Sequence, residues 1–256
     1  VAQLNADIDQ HGVAIHNRSI PGPTGAPDVA IRLYSPEGLE QAVPAILHIH
    51  GGGFVIGDLD SELGSCVALC RQLGAVVVSV DYRLAPETPY PGPLEDCYAA
   101  LEWVSSNSAQ LSTDPARIAV FGQSAGGGLA AATCLLAKDR DGPAICFQYL
   151  GIPELDDRLQ TPSMQRFVDT PMWNRPNAEL SWDFYLGDQY QRGADDVPYH
   201  AAPARAEDLT GLPPAYISTM EFDPLRDEGV QYALNLMQVG VATELHSFPG
   251  TFHGSA

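Results

Sequence analysis

The residue types best suited to covalent chemistry lie in the pentapeptide GQSAG, residues 122–126. Apolar residues 118–121 precede it and apolar residues 129–132 follow it, so the pattern predicts a strand, a tight turn and a helix. A serine at such a turn stands exposed at a helix N-terminus, where the helix dipole favours developing negative charge. The pattern therefore predicts Ser124 as a nucleophile. The alternative is a glycine-rich turn that only lets the helix pack closely on the strand.

A second glycine-rich stretch, HGGG at residues 50–53, follows the strand residues 45–49. Consecutive glycines let the backbone approach a ligand closely, and HGGG after an early strand is typical of an oxyanion hole. We expect the backbone N–H groups of Gly51, Gly52 and Ala125 to bind the oxyanion. One such donor is typically worth about 3 kcal/mol of transition-state stabilisation.

A serine nucleophile of this kind takes its base from the end of the chain. His253 comes directly after the last predicted strand, residues 243–248, and is the best candidate. His246 is expected to be half-buried within that strand, and His200 falls in a long irregular segment. His50 precedes the nucleophile, so we expect it only to brace its loop by hydrogen bonds.

The acid of the triad should lie between the nucleophile and the base. Asp223 follows the strand predicted at residues 215–220 and precedes a helix. Asp227 and Glu228 fall inside that helix, where solvated charges near the N-terminus are the ordinary interpretation. We therefore predict that Asp223 orients the imidazole of His253 and stabilises its charged form.

The surrounding pattern predicts the elements that must position these residues. Short β-branched runs alternate with amphipathic stretches, and runs such as residues 75–78 are apolar without interruption, which is typical of a doubly wound parallel sheet. Strands are predicted at 29–34, 45–50, 75–81, 118–121, 145–150, 215–220 and 243–248, with helices at about 61–73, 93–106, 124–138 and 225–239. The interval 155–208 is rich in proline, aspartate and aromatic residues and predicts one helix, 177–186. We interpret the chain as a single α/β domain, residues 1–256, with a cap-like insertion at about 155–208.

Composition excludes several classes of partner. There are 32 acidic and 13 basic residues, for a net charge of −19, which disfavours nucleic acid and anionic membrane surfaces. The five cysteines show no CxxC or zinc-site spacing and are expected to be reduced structural thiols. We therefore expect that the protein uses no metal. No apolar run approaches the roughly 20 residues of a membrane span, and no signal peptide is recognisable, so we expect a cytoplasmic protein.

Taken together, the motifs resemble the hormone-sensitive-lipase-like family of esterases, and within it bacterial acetyl esterases that cleave acetylated alkaloids. The family's motifs occur in family order: HGGGF at 50–54, DYRLAPE at 81–87, GQSAGG at 122–127, RAEDL at 205–209, DPLRDE at 223–228 and FHG at 252–254. The resemblance implies an α/β-hydrolase fold with a mostly parallel sheet, helices on both faces, and a cap from the N-terminal segment and the mid-chain insertion. It also implies hydrolysis of short-acyl carboxylic esters through an acyl-enzyme, with a small-molecule ester as partner and no cofactor.

Two points stay open at this level. An amidase, a lactonase or a small-molecule receptor could use the same fold, although a receptor has no need of a complete triad. The sequence also leaves open whether the protein forms a homo-oligomer. Among the aromatic residues that could line the substrate pocket, Phe54 beside the oxyanion loop is the preferred candidate. Packing of the cap is the ordinary interpretation of the others, namely Trp173, Trp182, Phe184 and Tyr185.

Overall fold

The computed structural model of the protein describes residues 8–255, and its centre is one eight-stranded sheet. The strands are β1 Val13–Ile20, β2 Val29–Pro36, β3 Val43–Ile49, β4 Val76–Asp81, β5 Thr113–Gln123, β6 Phe147–Gly151, β7 Ala215–Phe222 and β8 Thr243–Phe252. Their order in the sheet is β1-β2-β4-β3-β5-β6-β7-β8. The six strands β3 to β8 pair in parallel with their neighbours among themselves. Strand β2 pairs antiparallel with both β1 and β4.

All seven predicted strands are present, and β1 is an eighth that the sequence did not predict. Its middle residues, 16–19, are exposed because β1 forms an edge of the sheet, so it shows no alternation of apolar and polar residues. In contrast, the apolar run of β4 is buried on both faces, as its uninterrupted valines predicted.

Seven α-helices accompany the sheet in residues 8–255. They are α1 Leu63–Leu73, α2 Gly92–Ser106, α3 Ser108–Leu111, α4 Ala125–Asp139, α5 Pro162–Arg166, α6 Arg175–Leu186 and α7 Arg226–Gln238. The five predicted helices correspond to α1, α2, α4, α6 and α7 with ends that agree within two residues. The short helices α3 and α5 were not predicted, because one turn of helix leaves no periodic pattern.

Helices cover both faces of the sheet, as predicted. Helices α2, α4 and α7 share the larger hydrophobic core with buried residues of the central strands, such as Leu47, Val120 and Ile217. Helix α1 packs on the opposite face against Tyr34 and Val77. Helix α4 is buried along most of its length because glycine and alanine dominate its sequence, so its N-terminus lies directly against the ends of β3 and β5.

The interval 155–208 contains α5, α6 and two short 3-10 turns, and no strand is described within it. Helix α6 packs over the loop that follows β3, where the Ser181 hydroxyl donates to the carbonyl of Gly53 at 3.0 Å. Of the N-terminal segment that the resemblance implied for the cap, residues 8–28 contain the strand Val13–Ile20, which extends the sheet. The first seven residues lie outside the described part of the chain.

No helix in the described range is both long enough and apolar enough to cross a membrane.

Candidate active site

The turn between β5 and α4 holds Ser124 in a conformation that is rare for any residue except glycine, with φ 56° and ψ −126°. Its backbone N–H donates to the Gly151 carbonyl at 2.8 Å, and its carbonyl accepts from the N–H of Glu154 at 3.1 Å. The flanking Gly122 and Gly126 cannot carry a side chain, because a Cβ on either would collide with neighbouring backbone. The turn therefore places the hydroxyl of Ser124 directly beyond the C-terminal end of the central strand β5.

The structure brings the three residues predicted as a triad into one hydrogen-bonded row. Nε2 of His253 lies 2.9 Å from Oγ of Ser124, and Nδ1 of His253 lies 2.7 Å from Oδ2 of Asp223. The second carboxylate oxygen of Asp223 accepts from the backbone N–H of Leu225 at 2.9 Å, which fixes the carboxylate. All three side chains are buried, so the row is shielded from bulk water. With the proton of the imidazole on Nδ1, Nε2 is free to accept the serine proton.

The glycine loop that carries two of the predicted oxyanion donors passes beside the serine. A Cβ placed on Gly51 would lie 3.4 Å from Cβ of Ser124, so the backbone of the glycine loop runs directly beside the nucleophile. Among the described residues, none accepts a hydrogen bond from the backbone N–H of Gly51, Gly52 or Ala125. Because Ala125 begins helix α4, its N–H has no partner within the helix. The binding of an oxyanion by these three N–H groups stays a prediction.

His50 braces the glycine loop, as predicted. Its Nδ1 lies 2.8 Å from the carbonyl oxygen of Gly51, and its ring stacks on Tyr82 with centroids 4.1 Å apart. The Tyr82 hydroxyl donates to the His50 carbonyl at 2.9 Å. Burial lowers the pKa of His50, which favours its neutral form.

Phe54 is buried against helix α6, and its predicted contact with the substrate stays a prediction. Its ring is only 1% exposed and stacks on Tyr185 with centroids 4.0 Å apart and an interplanar angle of 16°. Trp182 packs beside it at 5.5 Å. Phe54 thus joins the oxyanion loop to helix α6 of the insertion, and the packing role expected for Trp182 and Tyr185 agrees with their burial.

The sequence also predicted the surroundings of three other titratable side chains, those of His246, Glu228 and His200. His246 lies in β8 as predicted, but its side chain is exposed because β8 is an edge strand. Glu228 is fully buried rather than solvated, and it accepts from the backbone N–H of Leu155 at 2.6 Å. Its burial raises its pKa well above the usual value. His200 lies in the insertion, as predicted, and its Nε2 lies 2.8 Å from Oδ2 of Asp139. Asp139 is the last residue of α4, at the opposite end of that helix from Ser124.

Two residues near the row were not assigned a role in the site from the sequence. Glu154 is fully buried just after β6, and burial, together with the nearby Asp223, raises its pKa to about 8. Trp173, for which packing of the cap is the ordinary interpretation, has its ring 5.8 Å from that of His253. A usable signal existed for Glu154, because residues that follow parallel strands gather at one edge of the sheet. No local pattern distinguishes Trp173.

No group of three or more histidine, cysteine, aspartate or glutamate side chains within residues 8–255 is arranged to hold a metal ion.

Comparisons with known proteins agree with this architecture. The family model described as alpha/beta hydrolase fold matches residues 46–256. Carboxylesterase NlhH of Mycobacterium tuberculosis is 43% identical over 249 residues, which cover 94% of this chain and 75% of that protein. Esterase LipI of the same organism is 42% identical over 238 residues, which cover 92% and 73%.

Solved structures give the same result. A bacterial heroin esterase superposes with a TM-score of 0.98 at 57% identity, covering 100% of this chain and 81% of the other. Esterase LipW of Mycobacterium marinum superposes with a TM-score of 0.91 at 39% identity, covering 99% and 78%. The similarity extends through the sheet, the glycine loop and the serine turn, and with it the chain belongs to the α/β-hydrolase family, among the hormone-sensitive-lipase-like esterases that its motifs resemble.

Proposed function

We propose that this chain is a serine carboxylesterase that hydrolyses short-acyl esters, with Ser124, His253 and Asp223 as its catalytic triad. The observation that carries the proposal is the continuous row in which His253 contacts Ser124 at 2.9 Å and Asp223 at 2.7 Å. The family membership and the esterase names of its relatives support the same chemistry.

In the first half of the reaction, Oγ of Ser124 attacks the ester carbonyl carbon while Nε2 of His253 takes the hydroxyl proton. The carbonyl electron pair moves onto the oxygen, and the N–H groups of Gly51, Gly52 and Ala125 stabilise that oxyanion. When the carbonyl re-forms, the bond to the alkoxy oxygen breaks. The leaving alkoxide takes the proton from His253 and departs as the alcohol, so Ser124 is left acylated.

The second half repeats these steps with water. His253 removes a proton from the water as it attacks the acyl carbon, then returns that proton to Oγ of Ser124, and the carboxylic acid leaves. Asp223 keeps the imidazole in the required tautomer and stabilises its charged form without being protonated. Its second hydrogen bond, from the N–H of Leu225, holds it in place for both halves.

The remaining predictions accompany this function. We propose that residues 1–256 form one hydrolase domain with the cap-like insertion at about 155–208, supported by the packing of α6 on the oxyanion loop. A cytoplasmic location and the absence of nucleic-acid, membrane, metal and cofactor partners stay predictions from composition and motifs.

A chain-length series tests the function. The protein should hydrolyse p-nitrophenyl acetate and butyrate, with kcat/KM falling for the octanoate, and a fluorophosphonate probe should label Ser124. If the folded protein is labelled but cleaves no ester, an amidase or lactonase replaces the esterase assignment. If it is neither labelled nor active, the enzyme assignment is wrong and a receptor becomes the better interpretation.

A further inference from the structure

Trp173 lies between the loop proposed to bind the oxyanion, residues 50–53, and the proposed base His253. The tip of its indole ring approaches Gly53 of the oxyanion loop so closely that a Cβ at this glycine would lie 2.6 Å from Cη2. The same ring stacks beside the imidazole of His253, with centroids 5.8 Å apart and an interplanar angle of 30°. One side chain of the insertion therefore contacts the loop that should hold the oxyanion and flanks the base.

The backbone around Trp173 is held in place from both sides. Its N–H donates to the Pro171 carbonyl at 2.7 Å, and its carbonyl accepts from the Thr170 hydroxyl at 2.7 Å. Helix α6 begins directly afterwards, capped by the side chain of Asn174. The indole is therefore a fixed part of the site's surroundings, attached to a rigid element.

The indole nitrogen of Trp173 is shielded from solvent and has no hydrogen-bond acceptor among the described residues. Buried tryptophan N–H groups normally have a partner, because an unpaired buried donor is costly. The ring thus offers an aromatic face beside His253 and an indole N–H that has no acceptor among the described residues.

The chemistry of the proposed reaction indicates which part of the ester lies beside the imidazole of His253. The leaving alkoxide takes its proton from Nε2 of His253, so the alcohol part of the ester lies beside the imidazole. A ring that flanks that imidazole borders the space that the alcohol part occupies. Building on the proposed esterase function, we infer that Trp173 is a specificity-determining residue that bounds the alcohol side of the ester and favours flat aromatic alcohols over saturated ones.

Phenyl acetate and cyclohexyl acetate test this inference, because they share the acyl group and differ in the flatness of the alcohol. Their intrinsic reactivities differ, so the quantity compared is the ratio of their kcat/KM values in each variant, measured for both by acid release. Trp173→Leu should lower the phenyl-to-cyclohexyl ratio by about 2- to 10-fold, the range expected for one aromatic contact. Trp173→Phe keeps an aromatic face and should retain most of the ratio.

Two controls make the result specific. Trp103→Phe changes a tryptophan near the far end of α2 and should leave the ratio unchanged. Ethyl acetate presents almost no alcohol group to the indole, so its kcat/KM in Trp173→Leu should fall by a smaller factor than that of phenyl acetate.

The inference is wrong if Trp173→Leu, folded and labelled by fluorophosphonate, keeps the wild-type ratio. It is equally wrong if all three esters lose the same factor in both Trp173 variants, since that indicates a structural role only. Failure of the proposed function looks different, because the wild type would then cleave no ester at all.

Discussion

Replacing Glu154 by glutamine should stabilise the protein increasingly as the pH rises above 5. The Glu154 side chain is fully buried, and neither carboxyl oxygen has a hydrogen-bond partner among the described residues. Burial is the main cause that raises its pKa to about 8, Asp223 adds to the increase, and the nearby Ser181 hydroxyl offsets part of it. That hydroxyl donates to the carbonyl of Gly53. The carboxyl is therefore neutral in the folded protein at neutral pH.

The sign and size of the effect follow from proton linkage. In the unfolded chain the Glu154 carboxyl titrates near 4.5, whereas its folded pKa is about 8. Between these values the folded state binds a proton that the unfolded state has released, so the free energy of unfolding falls as pH rises. Each pKa unit corresponds to about 1.4 kcal/mol, so the full loss is on the order of 5 kcal/mol by pH 8. Glutamine cannot ionise, so Glu154→Gln escapes this loss.

The assay is urea unfolding of wild type and Glu154→Gln at pH 5, 6, 7 and 8. The stability of the variant relative to wild type should increase by several kcal/mol across this range. Other buried carboxyls, such as Glu228, are present in both proteins and cancel in the difference. Glu102→Gln, at an exposed position of α2, is the matched control and should show no such trend. A difference between Glu154→Gln and wild type that stays constant within about 1 kcal/mol from pH 5 to 8 would refute the reasoning.

Two further substitutions test other contacts. Asp223→Asn should leave the fold intact but lower kcat for p-nitrophenyl acetate by about 10³- to 10⁴-fold, because the amide no longer selects the tautomer in which Nε2 of His253 accepts a proton; a loss below 10-fold would contradict the assigned role. Arg205→Ala should lower the free energy of unfolding in urea by about 3–5 kcal/mol, since it leaves the buried Asp157 without its two-pronged partner at 2.6 and 2.8 Å. Arg117→Ala removes an exposed ion pair and should cost less than about 1 kcal/mol, so equal losses in the two arginine variants would contradict this explanation.

The features that sequence predicted best are those encoded by contiguous residues. The GQSAG turn lies between the apolar residues 118–121 of β5 and the mostly apolar, buried helix α4, so the position of Ser124 could be predicted locally. His253 and Asp223 required one additional rule, the order of triad residues along this fold. The structure then places these side chains within hydrogen-bond distance.

The features that sequence missed depend on which surface a side chain faces. The packing of Phe54 on helix α6 is one such feature, because its φ is 61° and its ring stacks on Tyr185. Glu228 has a helical position typical of a solvated charge, but α7 presents it to the backbone of Leu155 in the insertion. Such contacts join segments about 70 residues or more apart, so no local pattern carries them.

The strand β1 was missed for a different reason. Prediction of strands relied on apolar runs or alternation, and the exposed residues of β1 show neither. An antiparallel edge strand gains its hydrogen bonds from one neighbour only, here β2, and needs few buried side chains.

Hydrolysis of p-nitrophenyl acetate by wild type and by Ser124→Ala tests the central claim most directly. Both proteins should unfold at similar temperatures, because the substitution removes only a hydroxyl that bonds His253. We predict clear turnover by the wild type and a loss of at least about 10³-fold in kcat for the variant. A folded Ser124→Ala protein that retains wild-type turnover would contradict the assignment of Ser124 as the nucleophile and, with it, the proposed mechanism.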